Sequence, residues 1–258
     1  SDCSGGAGIQ ADLKAFSANE TFGMSVITSV VAENTTRVLS VFNVPVEEIQ
    51  KQIDAVFEDI HVDAVKLGML PTAEIISAVA DKLNEYKPSI IVCDPVMVAT
   101  SGDALSEGGT VSTMREKLFP IVTLLTPNIP EAEAISGLEI KNENHMEKAA
   151  RIIMDMGVKN VLVKGGHLTG DAVDYLCTPE GVHKLACKRV DSSNTHGTGC
   201  TLSSAITANL AHGMDMLSAV TKAKNYITEA IEKSFTVGKG HSPVNHFYDY
   251  YDLKGTVL

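Results

Sequence analysis

The sequence predicts an α/β fold, with a mainly parallel central sheet and helices on both of its faces. Three observations carry this. Short apolar runs rich in β-branched residues alternate with longer runs of helical period along all 258 residues. Two glycine-rich loops, Ser1 to Gln10 and Asn194 to Thr201, each run straight into a helical pattern. Polar residues suited to chemistry (Glu33, Asp94, Asn128, Glu131, Lys164, His167) fall just after apolar runs, where α/β sheets place their ligand crevice.

Taken in order, Ala11, Leu13, Ala15, Phe16 and Ala18 set a helix after the first loop. A loop of this kind ordinarily follows a strand, so the first strand is expected to be missing before residue 1. Ser25 to Ala32 reads as a buried strand, with Glu33 past its carboxyl end, and Val38 to Val44 as an alternating edge strand. Pro45 to Ile60 reads as a helix with Val46, Ile49, Ile53, Val56, Phe57 and Ile60 on one face. Asp63 to Leu67 is a short strand ending at Gly68-Met69, and Thr72 caps a helix running to about Lys87. The strand Ser89 to Cys93 ends at Asp94-Pro95. Thr100 to Gly109 is polar and glycine-rich, the composition of a mobile lid, and a helix through Met114 follows. The strand Ile121 to Leu125 leads to Thr126-Pro127-Asn128 and to helices over 130–136 and 144–156. Asn160 to Lys164 is a strand, Ala172 to Cys177 and Gly181 to Arg189 form a hairpin, and helices cover 199–212 and 216–234. With no linker or repeat in view, residues 1–258 read as a single domain.

A net charge of −11 disfavours a nucleic-acid partner, so an anionic substrate has to be met by local donors. The five cysteines form no C-x-x-C and match no zinc spacing, which suits a reducing cytoplasm. No apolar run reaches membrane-spanning length, so no membrane partner is expected.

The stretch Asn194-Thr195-His196-Gly197-Thr198-Gly199-Cys200-Thr201 organises the chemistry. The first N–H groups of a helix lack intrahelical partners, and its dipole favours an anion there. Glycines allow close backbone approach, which makes a phosphate hole. Cys200 at its mouth is expected to have a lowered pKa. A glycine-rich turn capping a core helix is the plain alternative. Asn128-x-x-Glu131 offers oxygens for Mg²⁺ or, equally, a capping box. Asp94 is a further carboxylate near metal or phosphate. Lys164 before Gly165-Gly166 suits a phosphate contact. His167 and His196 could touch phosphate or serve as hydrogen-bonding loop residues. Met69 could wall a flat ring, and Glu33 could pair with an exocyclic amine. Asp12 reads equally as a surface charge favoured by the helix dipole. Protein-kinase, Walker and G-x-S-x-G signatures are absent from the sequence.

Taken together, the motifs resemble those of the ribokinase-like superfamily and, more narrowly, the hydroxymethylpyrimidine/phosphomethylpyrimidine kinases of thiamin biosynthesis. The likeness runs through Ser4 to Lys14, Lys66 to Leu70, Asp94 to Met97, Thr126 to Glu131, Lys164 to His167, Asn194 to Thr201 and Gly240 to His246. It implies a three-layer αβα sandwich, usually a homodimer. The implied reaction is ATP- and Mg²⁺-dependent phosphorylation of 4-amino-5-hydroxymethyl-2-methylpyrimidine and then of its monophosphate. By the same resemblance Gly197, Thr198, Gly199 and Cys200, with Lys164, would serve the transferring phosphoryl group. Glu33, Asp12, Ala7, Gly8, Met69 and Val96 would line the pyrimidine. Asn128, Lys164, His196 and Thr198 would meet the nucleotide, and Asp94 and Glu131 the metal. Glu33 departs from the family, which commonly has glutamine there. Pyridoxal kinase is the alternative, although the cysteine found in the lid of one variant type is absent from Thr100 to Gly109. A non-catalytic ligand sensor is the remote alternative.

Overall fold

The computed structural model describes residues 1–97, 109–166 and 172–250. The expected lid up to residue 108, and His167, lie outside the described residues. The described chain divides into two compact units.

One unit is built on a six-stranded sheet in the order β3-β4-β5-β6-β7-β8. Its strands are β3 (Val65–Leu67), β4 (Ile91–Cys93), β5 (Leu124–Leu125), β6 (Asn160–Val163), β7 (Ala172–Thr178) and β8 (Gly181–Cys187). The pairs from β3 to β6 are parallel, and the β7–β8 hairpin adds antiparallel strands at one edge. β4 and β6 are buried at every residue, as expected of continuous apolar strands covered on both faces. β8, at the edge, is only partly covered. Between the parallel strands come α3 (Ala73–Tyr86), α4 (Thr110–Thr113), α5 (Ile129–Ser136) and α6 (Glu143–Asp155). Each parallel crossover steps one place the same way across the sheet, so right-handed crossovers put these helices on one face. Thr72 caps α3 by accepting from Ile75 N at 3.2 Å, and Ile75, Ile76, Val79 and Leu83 are buried.

The other unit contains Ser1–His61 and the described residues from Val190 on. It holds α1 (Gly8–Ala18), β1 (Ser29–Asn34), β2 (Arg37–Asn43), α2 (Val46–Phe57), α7 (Thr198–Ala211) and α8 (Met216–Glu232). β1 and β2 form a two-stranded antiparallel sheet. On its other side β1 meets the start of the chain, where Asp2 bridges Val31 in parallel. α7 is buried almost all round; small residues such as Ser203, Ser204 and Ala205 let neighbouring backbone close in on it.

Several expectations are corrected. The strand expected over Ser25 to Ala32 begins at Ser29 and runs to Asn34, and it is not fully buried: Val30 is 46% exposed. A two-stranded sheet covers only part of each strand. Glu33 therefore lies within β1, beside a register shift between Ala32 and Glu33, and not beyond the strand end. β2 does not alternate in burial. The strand expected over Ile121 to Leu125 shrinks to two residues because Phe119–Ile121 forms a 3₁₀ turn. The helix expected through Met114 continues as a π-turn to Leu118.

Candidate active site

In the sheet unit, the expected residues gather at the carboxyl ends of the parallel strands. Met69 follows β3, Asp94 follows β4, Asn128 follows β5 and Lys164 follows β6. Asp94 is 2% exposed. Its Oδ1 accepts from Lys164 Nζ at 2.7 Å and from Thr126 Oγ1 at 3.2 Å. Val96 is half-buried, and its amide bonds back to Asp94 O at 2.8 Å. Asn128 and Glu131 complete the capping box of α5: Glu131 N donates to Asn128 Oδ1 at 2.9 Å, and Asn128 N to Glu131 Oε2 at 2.8 Å. The capping alternative is thus realised, but Glu131 is more than a cap. Burial pushes its carboxyl up to about 7, the Lys164 ammonium pulls it down and Asp94 pushes it up again. Asp94 and Glu131 are thus two buried carboxyl groups close to Lys164, which is paired to Asp94.

Lys164 and Gly165 of the run Lys164-Gly165-Gly166 are held by specific contacts. Lys164 Nζ is on Asp94, and its side chain is only 15% exposed. The amide of Gly165 donates to buried Asp174 at 2.9 Å, and a Cβ on Gly165 would overlap Val173 O. Gly165 is a packing glycine, whereas a Cβ on Gly166 would meet open space.

In the other unit, the two glycine loops come together. Gly197 is left-handed at φ 75° and caps α7, with no side-chain cap at that terminus. A Cβ there would overlap Gly6 O, so the two backbones pack directly on each other. Thr198 N bonds back to Thr195 O at 3.3 Å, and Thr201 N to Gly197 O at 2.9 Å. Gly199 and half-buried Cys200 lie in this first turn. Thr201 Oγ1 is held by His246 Nε2 at 3.0 Å, and burial, with Lys14 nearby, lowers the His246 imidazole to about 4.

The residue missed by sequence reasoning is Asp2. It is 1% exposed. Its Oδ1 accepts from Ser4 N at 2.7 Å. Its Oδ2 accepts from Ala7 N at 2.8 Å, Ser4 Oγ at 2.9 Å and Gly6 N at 3.1 Å, and pairs with His196 Nε2 at 2.9 Å. Burial alone would raise its carboxyl, yet the bonds from His196, Ser4 and Ala7 outweigh it and bring it down to about 2. An aspartate two residues before a serine is an Asx-turn signal, and that was the available clue. Asp2, Glu33 and His196 offer ligand atoms within 4.8 Å of one another. Asp2 Oδ2 is already surrounded by donors and the His196 nitrogen facing it is already paired. The trio is therefore a hydrogen-bond cluster in character and not a metal cage.

Ala7 is the N-cap residue of α1, and Gly8 opens that helix at φ 56°. Asp12 is not a surface charge: it is buried and accepts from Ser204 Oγ on α7 at 2.8 Å. The tail ties the loops further. Thr35 O accepts from His241 N at 2.9 Å, and Ser242 O from His196 N at 3.1 Å. A Cβ on Gly240 would overlap Thr35 O. The turn after Glu33 and the loop leading into α7 are thus strapped by the same few residues.

Residues 2–245 match the family described as phosphomethylpyrimidine kinase. The chain is 49% identical to the thiamine biosynthesis bifunctional protein ThiED of Geobacter sulfurreducens over 98% of this chain, and it spans about half, 52%, of that protein. It is 43% identical to the hydroxymethylpyrimidine/phosphomethylpyrimidine kinase of Haemophilus influenzae, over 96% of this chain and 94% of that one. A solved structure of Bacillus subtilis pyridoxal kinase in complex with ADP superposes with a TM-score of 0.89 at 39% identity, covering 95% of this chain and 94% of that one. With a mostly parallel α/β sheet, two glycine loops and a family match over residues 2–245, the chain belongs to the phosphomethylpyrimidine kinase family.

Proposed function

We propose that the chain works as one kinase domain that transfers the γ-phosphoryl group of ATP to the hydroxymethyl oxygen of 4-amino-5-hydroxymethyl-2-methylpyrimidine, and then to the phosphate of the resulting monophosphate. The observation that carries this reading is the loop Gly197 to Cys200. It opens a buried helix with no side-chain cap and is pressed backbone to backbone against Gly6. Such a terminus suits the charge that builds on a phosphoryl group in flight. Phosphoryl transfer asks mainly for positioning and charge stabilisation. Gly197, Thr198, Gly199 and Cys200 supply donors to the transferring group. Glu33, Asp12, Ala7, Gly8, Met69 and Val96 serve the pyrimidine, with Glu33 as the acceptor for its amino group. Asn128, Lys164, His196 and Thr198 serve the nucleotide.

Mg²⁺ belongs to this proposal. Asp94 and Glu131 are hard oxygen donors close to each other past the ends of β4 and β5, which fits a cation held largely through water. When bound, the ion would offset charge on the phosphates. Glu131 would then act as a carboxylate, with its capping bond to Asn128 retained.

A homodimer in a reducing cytoplasm completes the reading. None of the five cysteines is in a disulfide. Exposed Phe22, Leu39, Val41 and Phe42 leave apolar surface that a second copy would cover. Among the described residues no helix is long and apolar enough to cross a membrane. The likeness to pyridoxal kinase favours pyridoxal as the second reading.

The test is ADP release with each pyrimidine as acceptor. Turnover that needs ATP and Mg²⁺ and proceeds on both pyrimidines supports the proposal. Absence of turnover on either pyrimidine would overturn it.

A further inference from the structure

We infer that Asp2 and His196 are a positioning pair for the transfer reaction, a buried latch that sets the anion-hole loop against the first glycine loop. The inference rests on the kinase reading above, adds Asp2 to it, and gives His196, whose Nε2 is held by Asp2, a positioning role in place of a direct contact with the nucleotide.

The latch is built from both sides. Asp2 gathers the amides of Ser4, Gly6 and Ala7, so its carboxylate dictates the path of the first loop. His196 Nε2 reaches the same Oδ2 at 2.9 Å across 194 residues of sequence. Its ring lies against Gly6, where a Cβ would overlap His196 Cδ2. Its backbone amide is held by Ser242 O at 3.1 Å. His196 immediately precedes Gly197, the cap of α7, and the space a Gly197 side chain would need is taken by Gly6 O. The close approach of Gly197 to the first glycine loop therefore runs through Gly6, whose amide Asp2 holds and against which the His196 ring lies. Glu33 lies in the same cluster, so the latch also adjoins the proposed acceptor carboxylate.

A pair that served stability alone would be expected to join core elements. This one joins two loops and sits one residue from the donors. Donors to a developing oxyanion have to lie within about 2.7–3.1 Å of it, and a misplacement of about 1 Å costs about 100-fold in rate. Loosening the latch is thus expected to act on kcat more than on KM. A carboxylate suits the role because a full negative charge strengthens each of the bonds converging on Oδ2.

The experiment compares His196→Ala, His196→Gln, His196→Asn, Asp2→Asn and the double variant Asp2→Asn/His196→Ala with the wild type. We expect His196→Ala to lower kcat by about 30- to 100-fold while KM for ATP and for the acceptor moves less than about threefold. Glutamine, whose amide nitrogen can stand near Nε2, restores kcat to within about tenfold of wild type; the shorter asparagine does not. The double variant is no more than about twofold worse than the poorer single variant, because both break one latch. Fully multiplicative losses, equal rescue by Asn and Gln, or a loss confined to KM would overturn the inference. Hydrogen exchange at the Gly6 and Ala7 amides gives a readout free of activity. It should speed up at least tenfold in His196→Ala, and unchanged exchange would sink the latch even if catalysis falls. If the wild type phosphorylates neither pyrimidine, the kinase reading fails, and the exchange measurement still decides the latch.

Discussion

The two compact units hold their polar residues by different means. At the strand ends of the sheet unit, charged side chains balance one another: Asp94 takes Lys164 and Thr126, and Glu131 folds back on Asn128. In the unit containing α7, the two glycine loops are held through backbone, by glycines that touch and by one buried carboxylate that gathers amides. The first arrangement can be altered a side chain at a time. The second has little slack at Gly197 and Gly240, where an added Cβ would meet backbone. The difference predicts which substitutions strike stability and which strike turnover.

The largest effect is expected from Gly197→Ala. Its Cβ would overlap Gly6 O and its φ of 75° would be strained. Loss of aligned donors should lower kcat by at least about 100-fold, measured by steady-state kinetics. A variant with normal kcat would place the phosphoryl group elsewhere. Lys164→Ala should come next. It leaves two buried carboxylates without their lysine and should cost about 3 kcal/mol of stability in urea unfolding; a loss below about 1 kcal/mol would make the pair incidental.

Glu131 sharpens the comparison through pH. Its carboxyl sits at about 7 in the folded chain against an ordinary 4.5. The stabilising proton is fully held below about 4.5 and is lost as pH rises through about 7. Relative to Glu131→Gln, the metal-free wild type should therefore lose stability over that window, by on the order of 3 kcal/mol. Parallel stability curves for the two proteins would contradict this. Smallest are the capping and glycine controls. Asn128→Ala should cost about 1 kcal/mol. Gly166→Ala should stay within about 0.5 kcal/mol, while Gly165→Ala, facing Val173 O, should cost clearly more. Equal effects at the two glycines would mean that Gly165 is not fixed by packing.

Side-chain chemistry was the part legible in sequence. Asp94, Asn128, Glu131 and Lys164 could be placed at strand ends because apolar runs stop just before them, and the structure puts them there. The helix α3, capped at Thr72, was readable from its polar cap. What could not be read was backbone meeting backbone. A glycine announces only that a side chain is missing. The sequence cannot say that Gly165 faces a strand carbonyl while Gly197 faces another loop. Asp2 was overlooked because its partners are amides nearby and a histidine 194 residues away. β1 was misjudged because a β-branched run looks the same in a two-stranded sheet as in a buried parallel one.

The most direct measurement of the central claim is competition. Hydroxymethylpyrimidine and pyridoxal at equal concentration are given to the enzyme with ATP and Mg²⁺, and the two phosphorylated products are quantified at early times. The ratio reports relative kcat/KM and so reads the acceptor site alone. A preference of at least about tenfold for the pyrimidine is expected, the scale of one well-used polar contact at Glu33. A product mixture dominated by pyridoxal phosphate would contradict it and return Glu33 to a purely structural place in β1.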